Sequence, residues 1–215
     1  ACDSARTSAV KALIAEGAKT DARTLSNHSP LHMAGNADIV RALLSAGADM
    51  EPRCVTGATP LLMAAMDGRS GVVKELLQEG CIIELKDRDG WTAVHYAADQ
   101  GHVEVLSLLL KKGAKLFVRD AGGFLPIHHA GSPDKLHVLL EKKMQLESQN
   151  DKASRWTPLH YAAFNGRAAV VDSMLLAGAN REAIGQGGVT AQDVAKRNGH
   201  IDALAVLRSP AMENR

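Results

Sequence analysis

Pairs of neighbouring apolar residues recur along the chain at a near-constant interval. They are Leu13-Ile14, Leu43-Leu44, Leu76-Leu77, Leu109-Leu110, Leu139-Leu140 and Met174-Leu175. A glycine closes five of these stretches, at Gly17, Gly47, Gly80, Gly113 and Gly178, while Lys143 stands where the Leu139-Leu140 stretch would carry its own. Glycine there permits the left-handed turn that ends a helix. A second mark opens the interval: Ser29-Pro30-Leu31-His32, Thr59-Pro60-Leu61-Leu62, Thr92-Ala93-Val94-His95, Leu125-Pro126-Ile127-His128, Thr157-Pro158-Leu159-His160 and Thr190-Ala191-Gln192-Asp193. Thr or Ser caps the first orphan helix N–H groups, and proline next to it is preset for the first turn. Two short helices fit between the marks; in the third copy they are predicted over 93–100 and 103–111, joined by Gly101-His102. Neither buries its apolar face alone, so copies must stack to share one.

The third copy reads Asp87-Arg88-Asp89-Gly90-Trp91-Thr92-Ala93-Val94-His95-Tyr96-Ala97-Ala98-Asp99-Gln100-Gly101-His102, and the fifth repeats much of it from Thr157 to Arg167. This pattern resembles the ankyrin repeat over nearly the whole chain. The resemblance implies an all-α solenoid of stacked helix pairs, with β-hairpin finger loops and a concave face. The expected organisation is one domain over 1–208: a truncated repeat over 1–23, then about six repeats, the last a C-terminal cap, and a mobile tail over 209–215. Ala1–Arg6 aligns with Ala64–Arg69, so the chain is expected to begin inside a helix and to belong to a longer protein.

Departures from the pattern are local. Copies one and four lack three residues between their helices, at Gly35-Asn36-Ala37-Asp38 and Gly131-Ser132-Pro133-Asp134, and a notch in the wall is expected at each, with a neutral deletion at an exposed turn as the alternative. Arg155 replaces a loop glycine. Glu51, Glu84, Glu147 and Glu182 occupy a position where the family often has Asn; they are expected to accept turn N–H bonds, with a charged rim as the alternative.

Composition narrows the chemistry. Among 215 residues, Lys+Arg is 25 and Asp+Glu is 24, for a net charge of +1. That balance argues against a nucleic-acid partner, which a basic excess would favour. Cys2, Cys54 and Cys81 make no disulfide framework and suit a reducing compartment, the cytoplasm or the nucleus. No apolar run is long enough for a membrane span. Asn27-His28-Ser29 fits a glycosylation tripeptide but is discounted in such a compartment. Lys111-Lys112 and Lys142-Lys143 read as solvated helix ends. Gly185-Gln186-Gly187-Gly188 lacks the Lys-Ser/Thr of a phosphate loop and reads as a hairpin tip.

Four of the nine histidines, His32, His95, His128 and His160, are the motif histidine, which the resemblance makes structural. His102 and His200 follow the inter-helix glycine; only His28, His129 and His137 lie outside the template, without metal-ligand spacing. No nucleophilic set is evident. The expected function is therefore binding, with no enzyme activity, metal or cofactor.

Aromatic residues are scarce, at 3%, yet the position before the helix cap reads His28, Ala58, Trp91, Phe124, Trp156 and Val189. Trp91, Phe124 and Trp156 are expected to form an exposed ladder, with Phe164 beside it. Carried over from the resembling family, the contact positions add Met66 and Asp67 in copy two, with Val55, Thr56 and Ala58. They add Arg88, Asp89, Asp99 and Gln100 in copy three, and Ala153, Ser154 and Asn165 in copy five. The expectation is an interaction scaffold, monomeric within a longer chain, that holds a protein or peptide partner on the concave face. Two alternatives stand: a planar small ligand between Trp91 and Trp156, and the recruiting arm of a larger enzyme.

Overall fold

The computed structural model describes residues 2–141, 146–150 and 154–209, so Lys142-Lys143, Ala153 and all but the first residue of the tail lie outside the described residues. Helices are α1 (Cys2–Ala15), α2 (Ala37–Ser45), α3 (Pro60–Met66), α4 (Ser70–Gln78), α5 (Ala93–Gln100), α6 (Val103–Lys111), α7 (Pro133–Glu141), α8 (Pro158–Phe164), α9 (Ala168–Leu176), α10 (Ala191–Arg197) and α11 (Ile201–Arg208). No helix among the described residues is long and apolar enough to cross a membrane.

The chain divides into two compact units. One comprises the chain up to Ala97 with His102–Lys115; the other comprises Ala98–Gly101 with the chain from Leu116 onward. In the first unit α2 packs between α1 and α4, α4 packs on α6, and α3 lies on α4. In the second, α9 packs on α7, α8 and α11, and α10 packs on α8 and α11. The cores are aliphatic: Leu31, Val40, Leu61, Leu76 and Val73 in the first unit, Ile127, Leu139, Leu159, Val171 and Met174 in the second. Each such leucine contributes roughly 2–3 kcal/mol when fully buried.

Before copy one the expected helix pair is a single unbroken helix. Ala5 stands where Gly68 breaks the second copy, and without glycine the backbone continues as α1. At Gly68 and Gly166 the break is obligatory. Their φ values are +70° and +66°, and a Cβ would fall 2.5 Å and 2.6 Å from the rings of His102 and His200.

The fingers are hydrogen-bonded turns, and no strand occurs among the described residues. Cys54 N donates to Ala58 O, Asp87 N to Trp91 O, and Asp120 N to Phe124 O. The copy-five turn closes two residues wider, from Asn150 N to Trp156 O. Arg155 takes the glycine's left-handed backbone there, at φ +48°, a conformation costing a side-chain-bearing residue on the order of 1 kcal/mol. Neighbouring tips share one bond each, Val55 N to Ser26 O, Arg88 N to Thr56 O and Gln186 N to Ser154 O, too few for a β-ladder.

Side chains tie each copy to the next. Glu51, Glu84 and Glu147 accept from the backbone N–H of Ile82, Lys115 and Asn180, so these acids serve the turns. Arg53 donates to Gly57 O and Lys86 O, and Arg119 donates to Gly123 O and Gln149 O.

The two shortened copies share one solution. Their first helix contracts to a single tight turn, Ser29 to Ala34 in copy one and the 3-10 turn Pro126–His129 in copy four. That leaves carbonyls without helical partners. In copy one Arg69 of the following copy donates to His32 O at 3.0 Å and Ala34 O at 2.6 Å. In copy four Arg167 donates to His129 O and Ala130 O at 3.0 and 3.1 Å. After copies two and five, which are full-length, the corresponding residue is histidine, His102 and His200, which bonds a single carbonyl, Met66 O and Phe164 O. The expected notches are thus filled by guanidinium groups. Arg69→Ala is expected to lower the unfolding free energy by about 2 kcal/mol, since two carbonyls lose a charged donor. Urea unfolding beside Arg88→Ala, an exposed control, tests this; equal costs would refute the plugging role.

Candidate functional site

Each finger turn that carries an aromatic residue is held by one carboxylate or amide. In the first unit Asp87 Oδ1 accepts from Asp89 N and Trp91 N at 3.0 and 2.8 Å, and its Oδ2 accepts from Tyr96 Oη at 2.5 Å. Burial, then Asp87 itself, holds the Tyr96 phenol well above its ordinary value. The half-buried Trp91 ring lies 5.0 Å from Tyr96 and 5.9 Å from His95. Arg88 and Asp89 are exposed at the tip. His28 is half-buried with its ring 5.5 Å from His32. Met66 is exposed at the inter-helix turn, and Asp67 beside it pairs with Arg69 Nη2 at 3.0 Å. That approach is an ion pair rather than a hydrogen bond, because Arg69 Nη2 has no aligned acceptor.

The second unit repeats the grip. Asp120 Oδ1 accepts from Gly122 N and Phe124 N, and Asn150 Oδ1 accepts from Trp156 N at 2.5 Å. Asp120 Oδ2 also meets His129 Nε2 at 2.8 Å, which commits that imidazole, while His137 lies exposed on α7. Ring contacts run in series: Phe124 to Tyr161 at 4.8 Å, Tyr161 to Phe164 at 6.4 Å and Phe164 to Trp156 at 5.3 Å. Phe124 and Trp156 are half-buried, and Phe164 is 42% exposed. The expected ladder is therefore, within this unit, a cluster cemented by a tyrosine. Asp99 accepts from Gln100 and lies 3.6 Å from Arg167, and Asn165 donates to Tyr161 O. Beside Trp156 and Phe164 opens a groove of about 370 Å³, walled also by Val189, Val194, Arg197 and Asn198.

The motif histidines carry the deciding geometry. His32 Nε2 faces Ala58 O at 3.0 Å, His128 Nε2 faces Trp156 O at 3.2 Å, and His160 Nε2 faces Val189 O at 3.0 Å. A carbonyl only accepts, so each Nε2 carries the proton and each Nδ1 takes the cap residue's N–H. A family model described as ankyrin repeats, in three copies, matches residues 34–120 and again 124–214. The chain belongs to the ankyrin-repeat family.

As in other ankyrin copies, the last one keeps its cap although Asp193 replaces histidine. Asp193 Oδ2 accepts from Thr190 N and Oγ1, and those bonds hold its carboxyl below the usual range. The free thiols Cys54 and Cys81 are buried, and burial pushes Cys81 up to about 12, too high for a reactive thiolate. Among the described residues no group of three or more His, Cys, Asp or Glu is placed to hold a metal ion.

Sequence reasoning missed the tyrosines. Both stand directly after a motif histidine, as does His129, and this column supplies the rings that Trp91 and Phe124 pack upon. It also missed Asp87, Asp120 and Asn150, whose spacing ahead of each aromatic was legible.

Burial lowers the pKa of His32 and His160, and pushes His128 down to about 4. Below its ordinary value of 6.5 the unfolded chain takes up a proton that the folded chain refuses until about pH 4. His128 therefore contributes an acid-side loss of stability of order 3 kcal/mol, absent above pH 7 and complete below about pH 4. His128→Gln keeps a donor and an acceptor without titrating. It is expected to be less stable than wild type at pH 7 and to lose less stability on going to pH 5. Parallel pH slopes in urea unfolding would overturn this.

Proposed function

We propose that this chain is a protein-binding module whose partner lies across the finger turns and inter-helix turns. The observation that carries the reading is the connected aromatic cluster of the second unit, Phe124, Tyr161, Phe164 and Trp156. It is rigid before any partner arrives, because Asp120 and Asn150 hold the backbone of Phe124 and Trp156. Preorganised rings that keep part of their surface exposed lose little entropy on binding and serve as interface anchors. Trp91 plays the same part in the first unit, with Met66 as an adaptable apolar contact. Arg88, Asp89, Gln100 and Asn165 supply polarity around these anchors. Asp67 and Asp99, already paired with Arg69 and Arg167, act as fixed acceptors at the rim.

The module works by binding alone, without breaking a covalent bond. Unreacted, buried Cys54 and Cys81 suit a reducing compartment. A peptide selected by display on the full chain provides the ligand for a test. Phe164→Ala and Trp91→Ala, each measured by calorimetry, are expected to weaken at least one selected ligand tenfold, about 1.4 kcal/mol. Melting temperatures should move by no more than a few degrees, since neither ring is fully buried. Selected ligands that bind both variants as tightly as the parent would rule the reading out.

A further inference from the structure

The groove beside Trp156 combines an apolar wall with one charged side chain among its described lining residues. Trp156 and Phe164 form one side, and Val189 and Val194 supply apolar surface opposite. The charged residue lining it is the exposed Arg197, whose charge also acts on the Asp193 carboxyl one turn earlier in α10. Lys196 precedes it in the last turn of α10. Among the described residues no Asp or Glu lines the groove. The nearest acid on the same helix, Asp193, is occupied by Thr190 N and Oγ1. Asn198 donates its Nδ2 to Val194 O at 2.8 Å, which leaves its carbonyl oxygen to accept a backbone N–H.

Resting on the partner-binding reading above, we propose that this groove receives an internal partner segment in which a leucine- or phenylalanine-sized side chain is followed by Asp or Glu. The apolar side chain lies against the indole and phenyl rings, and the carboxylate meets the Arg197 guanidinium. Asn198 Oδ1 takes a main-chain N–H of the segment, which fixes its direction. An exposed guanidinium at the rim of an apolar groove acts mainly on partner choice: a carboxylate gains a planar two-pronged donor, while an ammonium at the same place is repelled.

The chain has two tryptophans, one in each unit, so its two indole N–H signals in a nitrogen-15 spectrum report on each unit separately. The probes are hexapeptides capped at both ends, identical except for a central Leu-Glu, Leu-Lys or Ala-Glu pair; the caps remove the terminal carboxylate. Leu-Glu is expected to shift the Trp156 signal, leave that of Trp91 in place, and bind at least tenfold more tightly than Leu-Lys or Ala-Glu. Arg197→Gln should abolish the preference for Glu over Lys, and Arg197→Glu should reverse it. Circular dichroism and melting confirm that these variants fold. Equal binding of Leu-Glu and Leu-Lys, or an unchanged ranking in Arg197→Glu, overturns the proposal, as does a Trp156 signal that no peptide moves. If Leu-Glu and Leu-Lys bind equally and both are lost in Phe164→Ala, the charge rule fails while the partner-binding reading stands. Peptide binding indifferent to Phe164→Ala removes the reading itself.

Discussion

Within each unit, copies are tied by donors sent into the copy that follows. A pair of helices about eight residues long is below the length at which helices persist alone in water, so its stability must come from neighbours. Aliphatic burial supplies most of it, but burial is non-directional and does not set register. Register comes from the imidazole Nε2–H of His32, His128 and His160, each pointed at one carbonyl of the next finger. Arg53 and Arg119 add a second tie, and Glu51, Glu84 and Glu147 add a third in the opposite sense, accepting where the others donate. Because these side chains bond backbone, the copies can differ at nearly every outward position without losing alignment.

The shortened copies show the same economy under strain. Removing residues from a turn that a helix needs would ordinarily leave buried carbonyls unsatisfied, at a cost of 1–3 kcal/mol or so each. Here the neighbour's first residue after the inter-helix glycine changes from a one-bond imidazole to a forked guanidinium that reaches two carbonyls at once. The same substitution accompanies both deletions, at Arg69 and Arg167. The pairing of a short turn with arginine is thus a structural rule of this chain, and it closes the notches that a gap in the sequence suggests.

Fold class was legible because it rests on local chemistry repeated many times. Caps, glycines and apolar pairs each constrain only a few residues, and their recurrence at one period leaves little freedom. What could not be read were the contacts that run between copies. The contraction of 29–34 and 126–129 to tight turns, the guanidinium plugs and the tyrosines beneath Trp91 and Phe124 all join residues some thirty positions apart or turn on packing in three dimensions. The hairpins expected from the resemblance depend on ladder length, and one shared bond per tip is too few to make strands. Among the candidate site residues, composition and position singled out Trp91, Phe124, Trp156 and Phe164. They did not reveal that Tyr161 bridges two of these rings, Phe124 and Phe164, or that Asp67 and Asp99 already have partners.

A fold that hosts many functions cannot identify its own target, so the functional argument has to come from how this chain spends its few aromatic rings. A ring fully exposed on a loop would be costly to order on binding, and one fully buried would offer nothing to a partner. The half-buried state of Trp91, Phe124 and Trp156 lies between these limits, and it is set by the column of Asp87, Asp120 and Asn150 gripping the backbone beneath each ring. Those side chains do for the binding face what the motif histidines do for the stack: they convert a turn, the part of a protein most free to move, into a fixed mount. Specificity then falls to the variable groups around the mount, and among them an exposed guanidinium at the mouth of an apolar groove carries the clearest chemical demand.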